Sequence, residues 1–159
     1  MRSFANWLAG TQLSWFVNRH VWVRPVSETL HILGLSLVVG AIGLLDLRML
    51  GMAKALPLGP FHRLVRWGIF GFIINLITGT LIFAGNPLRY IHNRSFQLKL
   101  VFLLLAGINA LVFNLAVFRQ AERCGPGDDA PVSAKVIAGI SLFLWLGVIC
   151  CGQMIAFVR

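Results

Sequence analysis

Four long apolar runs dominate the chain. They extend over about Val26–Met49, Trp67–Ala84, Leu100–Phe118 and Val136–Val158. Each approaches the roughly 20 residues that a helix needs to cross the hydrocarbon core of a bilayer. The charge-free part of the first run, from Thr29 to Leu45, is the shortest. Proline punctuates the pattern. Pro25 opens the first run, Pro57 and Pro60 fall between the first and second, Pro87 follows the second, and Pro126 and Pro131 bracket the polar stretch RQAERCGPGDDAP before the fourth. A proline lacks the N–H a helix interior needs, so these positions mark ends and connections. The predicted architecture is an all-α integral membrane four-helix bundle over residues 26–159, with no separate soluble domain and no internal repeat.

Residues 1–25 read differently. Phe4, Trp7, Leu8 and Trp15 lie near one face of a helix, and polar residues interrupt every apolar stretch. A secretory signal peptide needs a continuous apolar stretch, so none is expected here. Three tryptophans, Trp7, Trp15 and Trp22, suit the membrane interface. The segment predicts one or two short amphipathic helices lying along the bilayer surface.

Composition agrees. Of 159 residues, 58% are hydrophobic and 12% charged, and the mean hydropathy is +0.82. An average soluble domain carries about 25% charged residues. The net charge of +9 comes from basic residues set singly between apolar runs. There they snorkel to headgroup level and meet anionic lipid, so nucleic acid is not an expected partner. Four spans place both termini on one side, here called side A. Side A carries Arg2, Arg19, Arg24, Arg89, Arg94, Lys99 and Arg159. Side B carries Arg48, Lys54, Arg63, Arg66, Arg119, Arg123 and Lys135. The two sides tie, so the positive-inside rule does not orient the chain.

Small residues recur at helical spacing in three spans: Ser36, Gly40 and Gly43; Gly68, Gly71 and Gly79, with Asn75 between them; Ala138, Ser141 and Gly152, with Trp145 between them. Such stripes let membrane helices approach closely, within one chain or between protomers. Membrane lipids and either a second copy or a larger membrane complex are therefore expected partners. The cysteines, Cys124, Cys150 and Cys151, form no C-x-x-C pair and read as small packing residues.

Ionisable residues at membrane depth are costly and mark candidate sites. Glu28 and His31 are three apart and share a helix face, and His31 is the only histidine inside a span. His20 and His92 fall on the same side. His31, His92, His20 and Glu28 are thus the candidate cofactor site, and the three histidines the candidate metal ligands, for haem iron, copper or zinc. A bis-histidine haem normally takes its ligands from facing helices, and one intramembrane histidine leaves the second ligand to His92, His20, a methionine or another subunit. His62 alone falls on side B. Asp46 and Arg48 lie two apart and do not face each other. A clamp from Asp46 to Arg63 or Arg66 is the structural reading of that carboxylate, and a proton relay the functional one. Asn75 and Asn109 are expected to bond across helices. No G-x-S-x-G and no phosphate-binding glycine loop occurs, so an autonomous enzyme is not expected.

The succession E-x-x-H-x-x-G (Glu28, His31, Gly34), D-L-R-x-L-G (Asp46, Leu47, Arg48, Leu50, Gly51), T-G-x-x-x-F (Thr78, Gly79, Phe83), Y-x-x-N-x-x-F-x-x-K (Tyr90, Asn93, Phe96, Lys99) and A-x-x-N-A (Ala106, Asn109, Ala110) resembles a family of uncharacterised bacterial inner-membrane proteins with four helices. It covers about residues 6–118. More distantly the layout is similar to copper-resistance CopD-type membrane domains and four-helix b-type cytochromes. The resemblance implies a multi-pass protein of the bacterial inner membrane, with the termini on the periplasmic side and His31 as the histidine of interest. Three expectations follow. One is a redox or electron-transfer module holding haem b, or meeting a quinone or periplasmic redox partner, through His31. Another is a copper-handling protein. The third is a structural accessory subunit with no cofactor.

Overall fold

The computed structural model describes residues 2–53, 61–117 and 128–157. Pro57, Pro60, Lys54, Arg119, Arg123, Cys124, Pro126 and Arg159 lie outside the described residues, as does the side chain of His62. The described chain is helical, with no strand among those residues. Two short helices, α1 (Arg2–Ala9) and α2 (Gln12–Arg19), precede α3 (Val23–Met49). Then come α4 (Phe61–Gly85), the short α5 (Pro87–His92), α6 (Arg94–Val112) continued by one π-helical turn over Phe113–Val117, and α7 (Val132–Met154). Four helices, Val23–Met49, Arg63–Gly85, Arg94–Leu115 and Val132–Met154, are long and apolar enough to cross a membrane.

The helices begin earlier than the apolar runs, by three residues in α3, six in α4 and α6 and four in α7. Arg63, Arg66, Arg94, Lys99 and Lys135 all lie inside helices. Charge-free windows mark hydrocarbon, whereas a helix continues through the headgroup layer where its basic side chains snorkel. The change matters for His31, which stands eight residues inside α3, about 12 Å from its start at 1.5 Å per residue.

Local chemistry sets the ends. Gly51, at a φ of 87°, closes α3: its N–H donates to the Arg48 carbonyl at 3.1 Å, and the Met52 N–H to Leu47 at 3.0 Å. This pair of bonds is the Schellman pattern, which needs a residue in left-handed conformation, and glycine takes it without steric cost. Asn93 ends α5 and caps α6, accepting from the Phe96 N–H at 3.1 Å, while its Nδ2 donates to the Ile155 carbonyl at 3.2 Å. One side chain thus joins three elements.

Packing is uneven. α3 lies intimately on α4, α6 on α7, and α3 also on α7, whereas α4 and α6 make no comparable contact. At side A they are bridged by Phe83, Tyr90 and Phe96, with Phe83 and Phe96 stacked at 5.4 Å between centroids and Tyr90 5.5 Å from Phe96. α1 rests on α5 and α2 on α4. Their small faces, Ala5, Ser14 and Val17, are buried, and Phe4, Trp7, Trp15 and Phe16 point outward.

Candidate functional sites within the bundle

The α3–α4 contact turns on two glycines. A Cβ on Gly71 would stand 2.7 Å from the Gly34 carbonyl oxygen, and one on Gly34 would stand 2.9 Å from the Gly71 oxygen. The backbones cross here. A Cβ on Gly68 would meet Ala41 at 3.5 Å, and one on Gly79 would meet the His31 ring at 3.3 Å. The glycine stripe of α4 therefore faces α3. The stripe Ser36, Gly40 and Gly43 of α3 faces away: Ser36 is exposed, and a Cβ on either glycine meets nothing within 4 Å.

Close approach brings His31 to Thr78. Nδ1 of His31 lies 2.9 Å from Thr78 Oγ1, and Oγ1 lies 2.7 Å from the Ile74 carbonyl. A hydroxyl has one proton, and the shorter contact takes it to Ile74. Thr78 then accepts from an Nδ1–H, which sets the tautomer and leaves Nε2 as the unprotonated nitrogen. The ring also reaches the backbone carbonyl of Asn75, which Thr78 Oγ1 itself approaches at 3.4 Å. Among the described residues no side-chain hydrogen bond falls on Nε2. Lys99 of α6 lies within electrostatic reach of His31, and its Nζ would be 3.6 Å from a Cβ on Gly152 of α7. A partly buried lysine thus joins the histidine inside the bundle.

The other expected members do not gather at His31. Glu28 turns to Arg24, its Oε1 3.1 Å from Nε, and both side chains are about half exposed. Ring orientation falls to Thr78, not to Glu28 as helix spacing alone suggests. His92 is exposed and His20 partly so, and each bonds through Nδ1 to a carbonyl of its own helix segment, Leu88 at 2.9 Å and Phe16 at 3.0 Å. Among the described residues no three His, Cys, Asp or Glu side chains cluster to hold a metal ion.

No family model matches the chain, and no curated protein or solved structure matches it. Its function therefore rests on the chemistry of its own side chains.

Asp46 forms a second centre, fifteen residues from His31 and so about 22 Å along α3. The helix buries it to 8% exposure. Ser141 of α7 lies within reach of its carboxyl, so the neighbour across helices is on α7 in place of the expected Arg63 or Arg66. Among the described residues the buried Oδ2 has no hydrogen-bond partner. Arg48, fully buried, points elsewhere, its Nη1 donating to the Asp128 carbonyl at 3.3 Å. Asp46 lines a cleft of about 580 Å³ among α3, α4, α6 and α7, where α4 and α6 stand apart. Asn109 lines it too, and its Nδ2 donates across helices to the Ile137 carbonyl at 3.2 Å. Asn75 instead bonds within α4, to the Gly71 carbonyl at 3.0 Å. Among the described residues its buried Oδ1 has no partner, and its Nδ2 would stand 2.7 Å from a Cβ on Gly34.

Thr78 and Lys99 fall in the motifs of the resemblance and Ser141 in the small-residue stripe of its span, but none of them carries a role there, and only the partner helix shows what each meets.

Proposed function

We propose that the protein is a redox module of the bacterial inner membrane that engages a quinone-class carrier at His31, with its termini on the periplasmic side. The observation that carries this reading is the His31–Thr78 bond. It commits Nδ1–H to the protein and leaves Nε2 as a hydrogen-bond acceptor, with the amine of Lys99 within electrostatic reach of the ring. Outer partners that lock a histidine tautomer are the usual means of presenting its second nitrogen to a ligand. A quinone supplies two-electron, two-proton chemistry, and its head presents oxygens that accept from Lys99 as quinone and donate to Nε2 as quinol.

The described residues fit a haem less well. They offer one imidazole nitrogen at this depth, and His20, partly exposed, and His92, exposed, have Nδ1 tied to their own helices. A bis-histidine haem would need its second ligand from a second copy, and copper would need donors that the described residues do not assemble. The outward stripe Ser36, Gly40 and Gly43 supports a homo-oligomer, which is the setting for such sharing.

Two measurements test the reading. The absorption spectrum of freshly purified protein, reduced minus oxidised, is expected to lack a Soret band. Decylubiquinone is expected to bind saturably by calorimetry, with affinity at least tenfold lower in His31→Ala and Lys99→Met. A Soret band lost in His31→Ala assigns haem instead. Absence of both band and binding favours a structural accessory subunit. One observation supports that second reading: His31, Thr78, Gly34 and Gly71 all belong to the α3–α4 contact.

A further inference from the structure

The helix α2 is fixed at the end of the bundle. Its Val17 packs on the last residue of α4, where a Cβ on Gly85 would stand 3.1 Å from Val17 Cγ1. Asn18 Nδ2 donates to the Gly85 carbonyl at 3.1 Å. The chain then turns at once into α3, the Val23 N–H donating to the His20 carbonyl at 3.0 Å. The end of α2 is therefore level with the end of one long apolar helix and the start of another. The apolar helix Arg63–Gly85 has 23 residues. At 1.5 Å per residue it is about 34 Å long, against about 30 Å for the hydrocarbon core of a bilayer. Gly85, and α2 with it, thus stands at headgroup level.

Two features at that level choose a lipid. The first is the outward face. Trp15 is 60% exposed, and Phe4 and Trp7 of α1 are exposed as well. Aromatic rings favour the boundary between headgroups and acyl chains, and helices with such a face lie in it.

The second is charge. Arg19 ends α2, exposed, with its guanidinium carbon 5.1 Å from the centroid of the Trp15 ring. Among the described residues it makes no hydrogen bond and no ion pair. The next cation, Arg24, is held by Glu28 at 3.1 Å. Of the 5 acidic residues in the chain, only Glu28 falls on side A, so no free acidic side chain remains there for Arg19. A phosphate group fits, because the planar fork of arginine takes two phosphate oxygens at once. A zwitterionic lipid brings its own ammonium to the same place, where Arg19 repels it and no free acidic side chain receives it. An anionic lipid brings none.

We infer that α2 holds an anionic phospholipid at the side A surface, with the Arg19 guanidinium on the lipid phosphate and Trp15 both orienting that guanidinium and meeting the acyl chains. The lipid site does not involve His31.

Native mass spectrometry of the full-length protein, released from detergent after incubation with equal amounts of phosphatidylglycerol and phosphatidylcholine, tests this. The parent is expected to retain one phosphatidylglycerol per chain at least fivefold over phosphatidylcholine. Arg19→Gln is expected to bring that ratio close to one, and Arg19→Lys to restore part of it. Arg66→Gln, the same loss of charge on side B, is expected to keep the parent ratio, as is His31→Ala, which separates this site from the quinone reading. Equal retention of the two lipids by the parent, or an unchanged ratio in Arg19→Gln, overturns the inference. So does an equal fall in Arg66→Gln, which would make the preference one of net charge. Displacement of the lipid by excess glycerol phosphate assigns Arg19 to a free anion and overturns the lipid. A dimer that forms only without added lipid and is lost in Trp15→Ser assigns the aromatic face to a second copy, and also overturns it.

Discussion

His31 and Thr78 join α3 to α4 through an Nδ1···Oγ1 contact of 2.9 Å, and the Thr78 hydroxyl donates a hydrogen bond to the Ile74 carbonyl. The relay makes the histidine's tautomer a property of the helix pair. Removing the hydroxyl frees the ring to turn and exchange its nitrogens. Thr78→Val is expected to weaken decylubiquinone binding about as strongly as His31→Ala, and Thr78→Ser to retain it. A double-mutant cycle on thermal stability should give a coupling of about 0.6 kcal/mol, the usual size of an interhelical hydrogen bond in a bilayer. Independent, additive losses would show that the contact does not couple the helices.

Glu28 provides a contrast. Its partner is Arg24, and the pair is about half exposed. Exposed pairs four apart on a helix contribute about 0.3–0.5 kcal/mol, reduced further by salt. Glu28→Gln is therefore expected to leave the melting temperature and quinone affinity unchanged within error. A large loss of affinity would return Glu28 to the site.

The glycine stripes differ in consequence. A methyl on Gly71 meets the Gly34 carbonyl oxygen at 2.7 Å, and backbone cannot swing aside. Gly71→Ala should separate α3 from α4 at about 1–3 kcal/mol, the range for overpacked cores. Gly40→Ala meets open space and is expected to leave protomer stability unaltered or slightly raised, since alanine favours helix over glycine. Thermal denaturation of both variants side by side checks the order.

Arg48 has 0% exposure and holds the chain just before α7 at the Asp128 carbonyl. Lysine offers one point charge where arginine offers a fork of donors, so the two do not substitute freely at such a position. Arg48→Ala removes the donor to the Asp128 carbonyl and empties the space of a fully buried side chain, so it is expected to destabilise the fold. Arg48→Ala is expected to accumulate poorly in membranes, and Arg48→Lys to an intermediate level, by immunoblot against the parent.

Much of the frame is legible in the order of residues. The runs between Pro25, Pro87 and Pro131 announce four long apolar helices, and the interrupted pattern around Trp7 and Trp15 announces the two short helices α1 and α2. Helix starts are less legible. Arg63, Arg94 and Lys135 resemble boundaries, yet they sit on helical turns. His31 stands out as the one histidine within a span, but its partner does not. Glu28 is the local candidate, and Thr78 is 47 residues away.

Sequence alone determined the helices, because the cost of placing backbone amides in hydrocarbon is met within each helix and is local. It could not determine which face of each helix is inside. In water, apolar residues mark the core, whereas in lipid the core and the surroundings are equally apolar. The stripes Gly68–Gly71–Gly79 and Ser36–Gly40–Gly43 look alike on paper, yet one crosses a neighbouring backbone and the other meets nothing. That choice belongs to tertiary packing. It sets His31 against Thr78, turns Glu28 toward Arg24 at the exposed side and buries the carboxyl of Asp46 among the helices.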